Sequence, residues 1–191
     1  MKKWWQNINR GILLLIVVLL GLSVYLLVDA ANTRKEKLAV RELASEYARE
    51  SSCLYQFPSG SDFWSWNGID SDEILPALLS QAEPLNRFFC DNEAVRKNEI
   101  SKCWTFFRES FFMQMCPLAV TKTPVEIKIS EIYNGSASVS VYSRTTIEYT
   151  DKNGKQTMNE IDTTDSLVFL HIDGEWKLVK ADSTMNEFSD Y

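Results

Sequence analysis

The chain has 191 residues, 45% of them hydrophobic and 24% charged, and a formal net charge of −6. With seven Gly, five Pro and 12% aromatics, collagen-like, low-complexity and wholly disordered classes are excluded. The acidic balance also argues against a nucleic-acid partner, because displacing counterions from phosphates takes a basic face.

Residues 11–28 carry no charge, and at 1.5 Å per residue they cover about 27 Å, enough to cross the hydrocarbon of a bilayer. Lys2, Lys3 and Arg10 precede this run, and Trp4 and Trp5 stand where indole rings prefer the headgroups. Val28-Asp29-Ala30 offers small residues at the separation a signal peptidase uses. A cleavable apolar region is only ~7–15 residues long, however, so the run reads as an uncleaved anchor behind a short tail, residues 1–10.

Basic residues flank the span on both sides, with Arg34, Lys35, Lys37 and Arg41 following it, so the positive-inside count leaves orientation open. The short tail has no room for a domain, and all four cysteines follow the span. The expectation is a single-pass cell-membrane protein with its C-terminal domain extracytoplasmic. The first thirty residues hold three basic residues and one acid, which leaves 17 basic against 25 acidic residues, or −8, for the remainder. A domain so charged is repelled by anionic headgroups and is expected to stand off the membrane.

Over residues 31–56, Ala39, Val40, Leu43, Ala44 and Tyr47 recur at helical spacing between charged residues, which predicts an amphipathic stalk helix. A loop follows through Pro58-Ser59-Gly60, then the aromatic run Phe63, Trp64, Trp66. Ser71 or Asp72 is a plausible N-cap, with Pro76 in the first turn, for a helix holding Ile74, Leu75, Leu78 and Leu79, and Pro84 interrupts or restarts it. Ile100, Cys103, Trp104, Phe107, Phe111 and Met115 mark another amphipathic helix, closed by Cys116-Pro117.

After Thr123 the period changes to two, through Val125, Ile127, Ile129 and then Ala137, Val139, Val141. A two-residue turn at Asn134-Gly135 would pair Tyr133 with Ser136 and put the two apolar sets on opposite faces. A three-residue loop, Tyr133-Asn134-Gly135, pairs Ile129 with Val139 and Ile127 with Val141, and is the expected turn. The second strand runs to about Tyr149 and turns through Asp151-Lys152-Asn153-Gly154. A third strand ends at Ile172, and Asp173-Gly174 turns tightly into Glu175–Val179. The expected domain is therefore α+β over residues 57–183, with helices to 117, then a four-stranded antiparallel meander over 125–180, and an acidic tail at 184–191.

Helices followed by a long meander, closed by Leu167-Val168-Phe169-Leu170-His171-Ile172-Asp173-Gly174-Glu175-Trp176-Lys177-Leu178-Val179, resemble the nuclear-transport-factor-2-like, or cystatin-like, superfamily. The resemblance covers residues 125–183 and implies a cone-shaped sheet that serves enzymes, pocket binders and non-catalytic modules alike. The order of anchor then domain is similar to that of scaffold proteins of type IV secretion and conjugation machines.

His171 is the only histidine. The Asp173-Gly174 turn sets it opposite Trp176, at the mouth of the cone, where an imidazole serves as general base or simply stacks on the indole. With no nucleophile spaced beside it, stacking is the favoured reading. Trp104, Phe107, Phe169, His171 and Trp176 are the pocket candidates. Phe63, Trp64, Trp66, Phe106, Phe111 and Phe112 read as core, as the lining of a ligand pocket or as a partner surface, with burial favoured. The cysteines lack the short chelating pairs of zinc sites, and no phosphate loop or catalytic carboxylate pair occurs, so no metal, cofactor or catalytic residue is expected.

If residues 100–116 form one helix, Cys103 and Cys116 lie about 19 Å apart along its axis, beyond the ~4.4–6.8 Å a disulfide allows. Of the other pairings, Cys90–Cys103 with Cys53–Cys116 is preferred because both link neighbouring helices. Four free thiols in the core are the alternative. Asp62, Asp70, Asp72 and Glu73 have no metal-loop spacing and read as caps and solvated surface.

Taken together, these features imply a non-catalytic, membrane-anchored protein that binds a partner protein or a small ligand, as an accessory or scaffold subunit of an envelope assembly. A pocket enzyme of lyase or isomerase type and a conjugation or secretion scaffold are the alternatives.

Overall fold

The structure, a computed structural model, describes residues 10–68, 72–90 and 93–186. It divides into two units, residues 1–39 and 40–191. In chain order it contains helix α1 (Arg10–Glu50), a 3-10 turn (Ser51–Tyr55), α2 (Leu75–Ala82), a second 3-10 turn (Glu83–Arg87) and α3 (Glu93–Phe112). Strands β1 (Cys116–Tyr133), β2 (Ser136–Thr150), β3 (Gln156–Ile172) and β4 (Glu175–Asn186) follow.

In the first unit the helical side chains from Leu13 to Val28 are exposed along their whole length, with no apolar stripe turned inward. It is the one helix among the described residues that is long and apolar enough to cross a membrane.

The second unit is α+β, with the strands ordered β1-β2-β3-β4 and every neighbour antiparallel. Burial alternates strictly along β2, from Ala137 through Val139, Val141 and onward to Tyr149, so one sheet face is covered and the other solvated. Val40, Ala44, Tyr47 and Ala48 of α1 join the same core as Leu78, Phe88, Phe107 and Phe169. An aromatic cluster closes it, with Phe57 edge-on to Phe63 at 4.9 Å and to Phe107 at 5.5 Å, and Phe111 against Trp66 at 5.6 Å. Each such pair contributes about 0.5–1.5 kcal/mol beyond its buried area.

Several boundaries differ from those read in the sequence. Helix α3 ends at Phe112, not at Cys116. Gln114 adopts φ 58°, Met115 N donates to Ser110 O and Gln114 N to Phe111 O, a Schellman closure that needs one left-handed residue and accepts Gln in place of Gly. Cys116 and Pro117 therefore open β1, eight residues before the period-two pattern becomes visible. Pro117 and Pro124 are tolerated there because β1 is an edge strand. Helix α2 begins after Ile74, which caps it without a side-chain hydrogen bond. Of the two expected caps, Ser71 lies outside the described residues and Asp72 stands before that boundary. Pro84 restarts the chain as a 3-10 turn. Ser183 to Asn186 continue β4 against β3, so only residues 187–191 of the expected tail lie outside the described residues.

The β1–β2 hairpin has both features that the alternation set against each other. Asn134 (φ 49°) and Gly135 (φ 70°) form the two-residue turn, and Tyr133 pairs with Ser136. The missing residue is taken up at Ser130, where a bulge between Ile129 and Glu131 restores Ile129 opposite Val139 and Ile127 opposite Val141. The register is the expected one, and the extra residue sits in the strand instead of the loop.

Both sheet edges are covered in part. Arg41 Nη2 donates to Ile127 O at 3.1 Å and Phe57 N to Pro117 O at 3.0 Å along β1. Along β4, Cys90 N donates to Leu178 O at 3.0 Å and Leu178 N to Phe88 O at 2.6 Å. Such coverage removes the donors and acceptors that recruit a foreign strand.

Candidate functional site

The structure distributes the five pocket candidates over three places. Phe107 and Phe169 are completely buried in the core, where they fill volume and line no opening. His171 and Trp176 face each other at the end of the β3–β4 hairpin, ring centroids 5.1 Å apart and edge-on, with His171 exposed. Trp104 lines a groove of about 420 Å³ between α2 and α3 together with Leu75, Leu78, Leu79, Ile100 and Lys97. The Trp104 Nε1 is buried and has no hydrogen-bond partner among the described residues, and the Arg108 guanidinium lies 5.0 Å from its ring.

The other aromatics divide between core and surface. Phe63 and Trp66 are buried, Trp64 packs edge-on to Phe63, and Phe106 packs on Tyr55 at 5.5 Å. Phe112 is 68% exposed. Asp62 accepts Trp64 N at 3.0 Å and Ser65 Oγ, which hold its carboxyl below the usual carboxylate range, while Asp70 lies outside the described residues.

All four cysteines are free thiols, and neither Cys90–Cys103 nor Cys53–Cys116 is joined. Cys116 sits at the start of β1 and not on α3, so the spacing argument along one helix does not apply to it. Cys53 Sγ donates to Gln81 O at 3.7 Å. Cys103 is close enough to Cys53 for the two to interact electrostatically, and burial pushes the Cys103 thiol far above its ordinary range. No group of three His, Cys, Asp or Glu is placed to hold a metal among the described residues.

The densest chemistry is a polar belt across the covered face of the sheet. On β2 and β3 the inward positions change from apolar to polar and back: Val141, then Ser143 and Thr145, then Ile147; and Thr163 and Asp165, then Leu167. Lys122 on β1 donates to both carboxylate oxygens of Asp165, at 2.9 and 3.2 Å, and Ser183 on β4 donates to Asp165 Oδ1. Thr145 and Thr163 share a hydrogen bond at 2.9 Å. The Lys122 ammonium also lies 5.2 Å from the Tyr55 ring centroid.

A second buried group ties the helices to this belt. Tyr47 OH donates to Glu99 Oε2 at 3.1 Å, Lys102 Nζ donates to Glu99 Oε1 at 2.7 Å, and Lys102 also reaches the carbonyl of Ala181 on β4. Burial raises the Glu99 carboxyl above its usual range against the pull of Lys102 and Tyr47. Burial likewise raises the phenols of Tyr47 and Tyr55 well above theirs, with Glu99 adding to the first and Cys103 to the second.

Every charged group in this interior meets an opposite charge. Such closure orients strands and helices, whereas acid–base chemistry needs a group held within reach of a substrate proton. The belt escaped the sequence reading because Ser, Thr and Asp at inward positions resemble the loss of a strand pattern. The clue was that the two-residue alternation resumes on its far side.

No protein-family model matches the sequence, and no curated protein does. Among solved structures the chain is similar to CagV, a VirB8 homolog of T4SS from Helicobacter pylori, at 8% identity over 76% of this chain and 99% of that one, TM-score 0.44. It is similar to a periplasmic fragment of TraM at 11% identity over 78% and 98%, TM-score 0.45. It is also similar to an Ntf2-like protein involved in plasmid conjugation, at 10% identity over 78% and 50%, TM-score 0.36.

Proposed function

We propose that the chain is a single-pass, membrane-anchored protein whose α+β unit binds a protein partner on the extracytoplasmic side and carries out no reaction, as an accessory or scaffold subunit of an envelope assembly. The observation that carries this reading is the exposed helix. Fourteen large apolar side chains from Leu13 to Val28 stand in the open, and leaving them in water costs about 1.5 kcal/mol each, roughly 20 kcal/mol in all. That exceeds the ~5–15 kcal/mol by which a whole domain is stable, so a lipid surrounding is the reading that fits. The paired charges of the buried belt favour binding over catalysis. The order of anchor then domain, similar to that of conjugation and secretion scaffolds, supports an assembly of that kind.

Alkaline carbonate washing of membranes tests the anchor: the full chain stays in the pellet, and its release overturns the reading. Protease added to sealed right-side-out vesicles tests the side: residues beyond the span are digested, and complete protection places them in the cytoplasm.

The α2–α3 groove favours a second reading, a small apolar ligand. Its volume lies in the range of ligand sites and its walls are mostly Leu, Ile and Trp. Native mass spectrometry would show a bound molecule that Leu79→Trp, at a 41% exposed wall position, expels; a chain free of adduct refutes it.

A further inference from the structure

The groove between α2 and α3 has two unlike ends. On α3, Lys97, Ser101, Trp104 and Arg108 stand three or four residues apart and so form one stripe along the helix, with Ile100 at its border. From Lys97 to Arg108 this stripe runs eleven residues, about 16 Å. Lys97 Nζ meets Glu93 Oε2 at 3.3 Å with both side chains exposed, so that end is already neutralised in water.

Arg108 is half-buried and holds its guanidinium 5.0 Å from the Trp104 ring, back along the helix beside the groove wall, the direction in which a helical Cα–Cβ bond leans. Arg41, Arg49, Arg87 and Arg144 of the same unit each donate to a protein oxygen. None of the N–H donors of Arg108 meets an acceptor among the described residues. The indole face attracts the positive charge but supplies no lone pair for the N–H fork.

A purely apolar ligand would withdraw that cation further from water and answer none of its donors. A chain ending in a carboxylate answers both demands, with methylenes against Leu75, Leu78, Leu79 and Ile100 and two oxygens on the guanidinium in the bidentate geometry that Arg favours. At about 420 Å³ the groove has the size of a small-ligand site and is too short for a partner helix in a stable complex, where each side buries on the order of 800 Å².

We propose that the α2–α3 groove binds a free fatty acid, its chain between the two helices and its carboxylate on Arg108. This assignment rests on the reading of the groove as a small-ligand site and adds to it a charged head and a direction, with the carboxylate at the Arg108 end and not at Lys97.

The test uses the full chain in phosphatidylcholine nanodiscs and two photoreactive probes of equal chain length, diazirine-bearing dodecanoate and diazirine-bearing dodecanol, at alkaline pH. Peptide mapping finds both probes on α2 and α3 of the wild-type chain. Arg108→Gln lowers labelling by dodecanoate about ten-fold and leaves labelling by dodecanol in place, which also shows that the variant is folded. Lys97→Gln changes neither. Dodecanoate labelling that survives Arg108→Gln, or that falls with Lys97→Gln instead, overturns the carboxylate site while the groove keeps its small-ligand reading. Absence of both probes from α2 and α3 overturns that reading and the fatty-acid site with it. Benzoylphenylalanine placed at Leu79 in native membranes forms a fatty-acid adduct; a cross-link to a second copy or another protein in its place overturns the assignment.

Discussion

Lys122 on β1 and Asp165 on β3 form a bidentate ion pair across the strand between them, with 1% of either side chain exposed. Two charges withdrawn this far from water gain little net stability from meeting, because desolvation offsets their attraction. What the pair does is fix alignment: with Ser183 on Asp165 it links β1, β3 and β4 in one register. A slip of one residue would bury one charge without the other.

Lys122→Ala leaves the Asp165 carboxylate buried without its cation and should cost about 3–5 kcal/mol, read as a lower urea midpoint in tryptophan fluorescence. The double variant Lys122→Met/Asp165→Leu removes both charges and should recover most of that loss. A double variant as unstable as the single one would mean that the pair does more than neutralise itself.

The buried Glu99 sets a pH response of known sign. Its carboxyl is raised above the ordinary value, mainly by burial, with Lys102 and Tyr47 opposing. The folded chain therefore binds the proton more tightly than the unfolded one. The stability that this group contributes is fully present below the ordinary Glu value of about 4.3 and is lost as pH rises through the folded value. Glu99→Gln should flatten the stability-against-pH curve above that point. An unchanged slope would show that the carboxyl is not responsible. Asp182, held low by Lys180, acts with the opposite sign, losing its contribution as pH falls.

Gly68 cannot accept a side chain. Its φ is 73°, and a Cβ there would lie 2.4 Å from Phe111 Cδ1. Gly68→Ala combines a left-handed Ala with overpacking against a buried ring cluster and should destabilise by about 2–4 kcal/mol. Trimming the ring as Phe111→Leu in the same chain should return part of the loss, which thermal melts of the single and double variants would show.

Thiol reactivity should rank by burial. Cys103 is 1% exposed and strongly raised, Cys116 is pushed up to about 11 by burial, and Cys53 is raised by burial with Glu50 adding to it. At pH 8 and without denaturant, maleimide should leave Cys103 and Cys116 unlabelled, and all four thiols should react once the chain is unfolded. Failure to label four thiols after unfolding without reductant would reveal a disulfide.

Long-period features were legible from the residues alone: the uncharged run at 11–28, helices giving way to strands, the four-stranded meander and the tight turn at Asp173-Gly174. Each repeats one local preference over many positions, so burial merely reinforces it. The hairpin at Asn134-Gly135 was half legible, since alternation specified the partners but could not say whether the surplus residue belonged to the loop or to a bulge at Ser130. The closure of α3 at Gln114 and the start of β1 at Cys116 escaped notice because they depend on one left-handed residue and on pairing with Thr150, far along the chain. The polar belt was least visible. Lys122, Ser143, Thr145, Thr163, Asp165 and Ser183 look like surface residues until pairing brings them to one face, because a charge can be buried only when its partner arrives from another strand.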